Sequence, residues 1–172
     1  MIPKPVLVPK KPSGAAVRRE TLREQLWPGS SSRIWNRKKE SGFCTIPRTL
    51  GVIMTLIEQL ADKGKDVSRI YFELWCRAFD DYLIEVGDAE GFAFASGLTA
   101  PGRNVRSWDE RLGVLAKLGL IEVAPRGTKR HGYILLLDPH KVVKQLHDKG
   151  KVSAEWWGAY IQRAAEIGYS LP

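Results

Sequence analysis

Between Asn104 and Leu137 the spacing of apolar residues changes period, and that change leaves few folds open. Val105, Trp108, Leu112, Leu115 and Leu118 recur at three- and four-residue steps, which places them on one face of a helix running from about Asn104 to Leu118. Gly119 supplies its C-terminal stop. Two β-prone runs follow, Leu120–Val123 and Tyr133–Leu137, around a tip from Ala124 to Gly132 that holds Pro125, Gly127, Arg126, Lys129 and Arg130. A long helix feeding a hairpin with a basic tip is the expectation.

The residues before this segment carry a compatible pattern. Leu50, Ile53, Met54, Ile57 and Leu60 form an amphipathic stripe after Thr45 and Pro47, with Pro47 expected in the first helical turn. Asp66 or Ser68 is placed to cap a second helix with Ile70, Tyr71, Leu74, Trp75, Ala78 and Phe79 facing inward. Tyr82–Val86 reads as a short strand ending at Gly87. Asp88 is placed to cap a short helix through Ala95, with Phe92 and Ala95 inward, before a turn over residues 97–102. After Pro139, Val142, Val143 and Leu146 mark one helix. Ser153 is placed to cap another that holds Trp156, Trp157, Tyr160, Ile161 and Ala164.

Charge divides the chain more sharply than hydropathy does. Residues 1–48 hold eleven Lys or Arg against three acids, whereas residues 49–172 hold sixteen of each, so the whole +8 charge sits in the first 48 residues. A basic arm on a neutral body suits contact with a polyanion, because each cation near a phosphate releases a condensed counterion. The alternatives are a solubilising tail or a segment that folds against another protein. Pro3, Pro5, Pro9 and Pro12 keep the first dozen residues out of helix, and an extended, disordered lead-in is expected there. Ala15–Leu26 reads as a short helix broken by Trp27–Ser32. Arg33, Arg37, Lys38 and Lys39 interleave with Ile34 and Trp35, a mixture that suits phosphate contact or anchoring of the arm through Trp35 equally. The resulting division is an arm over 1–46, a body over 47–138 and a C-terminal helical extension over 139–172.

Composition removes other classes. With 44% hydrophobic residues, 16 Gly and 2 Cys, the chain is neither disordered throughout, nor collagen-like, nor a disulfide framework. Its apolar runs fall far short of the roughly 18–20 residues that span a bilayer, and the N-terminal residues show no signal-peptide apolar stretch. A cytoplasmic protein is expected. Cys44 and Cys76 lack the paired spacing of a zinc site and read as reduced thiols, Cys76 as a small hydrophobe on a buried helix face.

The order helix, strand, short helix, turn, longer helix and basic hairpin resembles the winged helix-turn-helix DNA-binding family over residues 67–137, about two fifths of the chain. The residues carrying the likeness are Ala95–Leu98 at the turn, Leu112, Leu115 and Leu118 leading into Gly119–Val123, and the wing Arg126–His131. The fold implied is mainly α with a small β-hairpin, an α+β arrangement with extra terminal helices. The resemblance implies that the helix over 104–118 lies in the DNA major groove while the hairpin tip reaches phosphate or the adjacent minor groove. On that helix, which starts at Asn104, the face opposite the apolar stripe holds Arg103, Arg106, Glu110, Gly113 and Lys117, with Ser107 and Arg111 on its flanks. Arg pairs with guanine, Ser and Asn with base edges, and Gly113 allows close approach. Arg126, Lys129 and Arg130 suit phosphate. Asp109 and Glu110 depart from the pattern unless they accept a cytosine amine or hold Arg106 or Arg111 in place.

No P-loop, HExxH, paired CxxC or GxSxG is present, so neither catalytic residues nor a cofactor or metal site are expected. His131, His140 and His147 read as surface residues of the wing and tail. The leading expectation is a sequence-specific double-stranded DNA-binding protein, a transcriptional regulator or a replication or partition accessory factor of a plasmid or mobile element. The alternative is a non-enzymatic assembly subunit, with the arm on a protein or ribonucleoprotein partner and Trp27, Trp35, Trp156 and Trp157 as anchors. The helix from Trp156 to Ala164 is expected either to make a homodimer interface or to close the core.

Overall fold

A computed structural model of the chain describes residues 13–62 and 65–170, so the expected extended lead-in over residues 1–12 lies outside the described residues. The chain divides into two units, Met1–Phe43 and Cys44–Pro172.

In the first unit, helix α1 (Gly14–Leu26) starts where the Ser13 side chain accepts a hydrogen bond from the Ala16 N–H at 3.3 Å. It stops before Pro28, which disfavours helical backbone at Trp27. A single 3-10 turn follows at Ser30–Ser32, held by the Glu24 carboxylate, which accepts from Gly29 N, Ser30 Oγ and Ser31 Oγ. These bonds hold the Glu24 carboxyl below its usual pKa, the backbone bond from Gly29 most of all. No residue of α1 is buried.

The second unit is mixed α and β. Helix α2 (Leu50–Leu60) begins after Thr49, and Pro47 stays in the preceding turn, where its carbonyl accepts from Leu50 N at 2.9 Å. Helix α3 (Ser68–Arg77) is entered through Asp66, whose carboxylate accepts from both the Ser68 amide and hydroxyl. It ends two residues short of Phe79, which is 81% exposed rather than part of the inward stripe. Cys76 likewise faces solvent instead of the core. Strand β1 (Leu83–Glu85) leads to α4 (Ala89–Ala95), where Phe92 and Ala93 are buried and Ala95 is exposed. Helix α5 (Asn104–Lys117) buries Trp108, Leu112 and Leu115, while Val105 and Leu118 at the ends of the stripe are half-buried.

Strands β2 (Ile121–Arg126) and β3 (Lys129–Leu136) form a hairpin far tighter than the sequence suggests. Only Gly127 and Thr128 separate the strands, so Arg126, Lys129, Arg130 and His131 lie on them rather than on a loop. The reason is local. A bulge between Ala124 and Arg126 absorbs Pro125, which has no N–H to donate to a regular ladder. Gly132 lets the strands close there, since a Cβ at that position would overlap the backbone N and Cβ of Arg126. β1 pairs with β3 on its other side, giving an antiparallel sheet of order β1-β3-β2 with Ile84 and Val123 both in register with Ile134.

Helices α6 (Pro139–Asp148) and α7 (Ala154–Glu166) complete the unit, α6 capped by the Asp138 side chain and α7 by that of Ser153. They share one apolar core with α2, α3, α5 and the sheet. Residues 139–172 thus belong to the same compact unit as the residues before them. The Trp156 indole N–H donates to Thr55 Oγ1 at 2.9 Å, joining α7 to α2. Trp156 is buried, and Trp157 is half-buried with its ring stacked on His147 at 3.8 Å. Neither is an exposed anchor. No helix among the described residues is long and apolar enough to cross a membrane.

Candidate nucleic-acid interface

Helix α5 turns its apolar stripe inward, and the remaining positions follow from the helical repeat. Arg103 caps the helix, Arg106 and Lys117 follow on its outer side, and all three are exposed, Arg106 by 85% at its side chain. Asn104, Ser107 and Gly113 are half-buried beside them. Arg103, Arg106, Ser107 and Glu110 come together around one shallow recess. Lys117 stands apart, about 21 Å along the helix from Arg103 at 1.5 Å per residue.

The two acids on this helix act differently. Glu110 accepts from Arg106 Nε at 3.1 Å, as the i,i+4 spacing allows. Asp109 holds no arginine. Its Oδ1 lies 2.7 Å from Nδ1 of His131, a residue only 7% exposed. His131 is therefore not a surface residue of the wing: it is the buried post through which β3 is fixed to α5. Nothing local in the sequence links a helix acid to a strand histidine 22 positions later, so the pair was invisible there.

Arg111 does not belong to the outer face. Its Nε donates to the Asp66 carbonyl at 3.1 Å and its Nη1 to the Ser107 carbonyl at 3.3 Å, so it is half-buried and braces the loop before α3.

On the hairpin, Arg126 reaches across Tyr133, its guanidinium carbon 5.6 Å from the ring centroid, to pair with Glu85 at 3.0 Å. Lys129 Nζ donates to the Gly87 carbonyl at 2.7 Å. Both links are solvent-exposed and individually weak, so they orient these cations without removing them from solvent. Among the described residues Arg103, Lys117 and Arg130 form no ion pair.

In the first unit, Arg33, Arg37, Lys38 and Lys39 are all exposed. Arg37 lies over the Phe43 ring at 5.4 Å, and Trp35 meets that ring edge-on at 6.2 Å. Trp35 is 59% exposed, as is Trp27.

The other chemistry-bearing groups have structural partners. His140 Nδ1 lies 2.6 Å from the Tyr160 hydroxyl and its Nε2 3.4 Å from Thr49 Oγ1, so it too is a packed residue. Partial desolvation, followed by the Cys44 thiol beside it, pushes the Cys76 thiol up to about 11, which keeps it protonated and poorly nucleophilic near neutral pH. Among the described residues no group of three or more His, Cys, Asp or Glu is placed to hold a metal ion.

Comparison of the chain with family models, curated proteins and solved structures finds no match.

Proposed function

We propose that the chain is a winged helix-turn-helix protein that binds double-stranded DNA, with α5 in the major groove, the β2–β3 hairpin on the flanking backbone and the basic first unit adding phosphate contacts. The observation that carries this reading is the brace between Asp109 and His131. It holds a helix bearing exposed Arg103, Arg106 and Lys117 in fixed relation to a hairpin bearing exposed Arg126, Lys129 and Arg130. The element order α3, β1, α4, α5, β2, β3 with sheet order β1-β3-β2 supports it, since α5 leads directly into the β2–β3 hairpin and β1 closes the sheet on the other side of β3. Arg103 and Arg106 are the candidates for base edges, Arg130 and Lys117 for phosphate, and Glu110 orients Arg106. Regulation of transcription, or an accessory role in replication or partition, is the use such a head is put to.

Gel-shift titration over a series of salt concentrations tests the proposal. The full chain is expected to bind duplex DNA with affinity falling steeply with salt, by about 0.9 log unit per log unit of salt for each phosphate contacted. Removing residues 1–43, which carry ten of the eleven N-terminal cations, flattens that slope. Replacing Arg106 and Arg130 by Ala weakens binding by about 1–3 kcal/mol for a lost base contact. Absence of binding at low salt, or binding unaffected by both changes, overturns it.

A second reading rests on a separate observation. In α1, Val17, Leu22 and Leu26 are exposed and Trp27 follows them, so the first unit offers apolar side chains among its cations for a protein or ribonucleoprotein partner. The two readings separate in the same gel shift, where this one expects no binding of duplex DNA.

A further inference from the structure

At the end of β3 away from the hairpin turn, the chain encloses a cleft of about 300 Å³, at the lower limit of small-ligand sites. Its walls are apolar: Pro47 before α2, Trp75 near the end of α3, Tyr82 before β1 and Leu136 at the end of β3. The Trp75 and Tyr82 rings stand edge to face at 5.8 Å, making two aromatic sides of a corner. At the rim lie Asp138 and His140.

Three further features set this cleft apart from a packing defect. Tyr82 has φ 56°, the one non-glycine residue among those described with a left-handed backbone. That conformation is unfavourable for a residue with a bulky side chain. The neighbouring chain enforces it: Tyr82 N donates to the Phe79 carbonyl at 2.9 Å and the Tyr82 carbonyl accepts from Leu136 N at 3.0 Å. Second, the indole N–H of Trp75, a residue 4% exposed, has only the adjoining Tyr71 hydroxyl beside it, outside normal hydrogen-bond geometry. Third, the charged group that lines the rim is a carboxylate. Both His140 ring nitrogens are engaged by Tyr160 and Thr49, and burial lowers its pKa, so the ring is neutral near pH 7. Asp138 keeps one oxygen on the His140 backbone N–H at 3.0 Å, and its other oxygen has only Lys141 at 4.0 Å.

We propose that this cleft binds a small aromatic cation, its ring against Trp75 and Tyr82 and its protonated amine at the Asp138 oxygen that does not cap α6, in place of the distant Lys141. The chemistry is that of an ammonium drawn to aromatic faces and to a carboxylate in a partly dry setting. An anion of the same shape meets the carboxylate unfavourably, and a neutral ring uses only the walls.

Calorimetric titration of the full chain, without DNA, with tryptamine, indole and indole-3-acetate tests this and reads nothing from the nucleic-acid interface. Tryptamine is expected to bind most tightly, indole roughly fivefold more weakly, about the worth of one partly exposed charge pair, and indole-3-acetate weakest. Asp138→Asn keeps the cap of α6, because Asn caps as well as Asp, and brings tryptamine down to the affinity of indole while leaving indole unchanged. Tyr82→Gly removes one wall while accepting the left-handed backbone, so the protein stays folded and all three ligands weaken. No saturable tryptamine binding at millimolar concentration, equal affinity for the three ligands, or insensitivity of tryptamine to both substitutions overturns the proposal.

Discussion

Helices α1 and α5 are of nearly equal length, both rich in arginine, and hold opposite relations to a core. α5 buries Trp108, Leu112 and Leu115, whereas α1 buries nothing. The difference lies in spacing rather than in composition. The three buried α5 residues fall within about 60° at three- and four-residue steps, but Val17 and Leu22 of α1 are five apart, about 140° around a helix. A helix without a stripe forms through its cap and its local turn, and its cations are then placed by the chain's own flanks rather than by tertiary packing. In the body, α5 holds its exposed cations on a helix fixed by a packed core; in the first unit, the cations of α1 sit on a helix that buries nothing. Attraction to a polyanion needs only the charge, and discrimination among sequences needs the fixed placement.

The comparison is broken most directly through stability. Trp108→Ala is expected to cost about 3–5 kcal/mol, the range for emptying a fully buried large aromatic site. Leu22→Ala, at a residue 53% exposed, is expected to stay within about 0.5 kcal/mol. Urea midpoints of the two variants at constant m-value check this. A large loss for Leu22→Ala would mean that α1 has a packed face after all.

A smaller effect sharpens what fixed placement means in the body. Asp109→Ala leaves His131 buried without its partner, at a cost of about 1–3 kcal/mol. The hairpin is expected to lose protection from amide hydrogen exchange selectively, while α2 and α7, joined by Trp156 and Thr55, keep theirs. Asp109→Asn, which can still accept from the ring, restores most of the protection. Uniform loss across the unit would show that the pair supports the whole core and not the orientation of the hairpin.

What the sequence disclosed follows the same division between periodic and non-local information. Every helix and strand of the body was legible because each carries a stripe or a β-prone run bounded by Gly, Pro or a capping residue, as with Gly119 after α5 and Ser153 before α7. Ends were less legible. Phe79 continues the periodicity of α3 beyond the point where the helix stops, and apolar spacing alone carries no stop signal there. The hairpin tip is shorter than the sequence suggests because Pro125 and Gly132 read as loop residues, while in the sheet one occupies a bulge and the other a crowded crossing. Among the interface residues, helical geometry was enough to put Arg103, Arg106 and Lys117 outside. It was not enough to remove Arg111, whose acceptor lies 45 positions away at Asp66, or to find His131 and His140 in packed sites. Trp156 and Trp157 failed as anchors for the same reason: a tryptophan on an amphipathic helix is core or interface depending on what the rest of the chain brings to it.

The smallest effect concerns the body's dependence on pH, and the first unit, which holds no histidine, supplies its contrast. Burial lowers the His140 pKa below the ordinary 6.5, with Asp138 opposing. Around the ring stand the Tyr160 hydroxyl, Thr49 Oγ1 and the stacked Tyr169 ring at 4.1 Å, none of which favours the charged form as a carboxylate would. The unfolded chain therefore takes up a proton at this position at a pH where the folded chain does not. Stability from His140 is complete above about 6.5 and declines as pH falls from there through the lower folded value. The signal is the difference between the native chain and His140→Asn, in which every other titratable group is the same. That difference, read from urea midpoints at about pH 7 and about pH 5.5, is expected to shrink as the pH is lowered, because the variant has no imidazole to protonate in its unfolded state. A difference that grows instead would mean that the folded ring binds its proton more tightly than the unfolded chain, and that the Asp138 carboxylate outweighs burial in setting its charge.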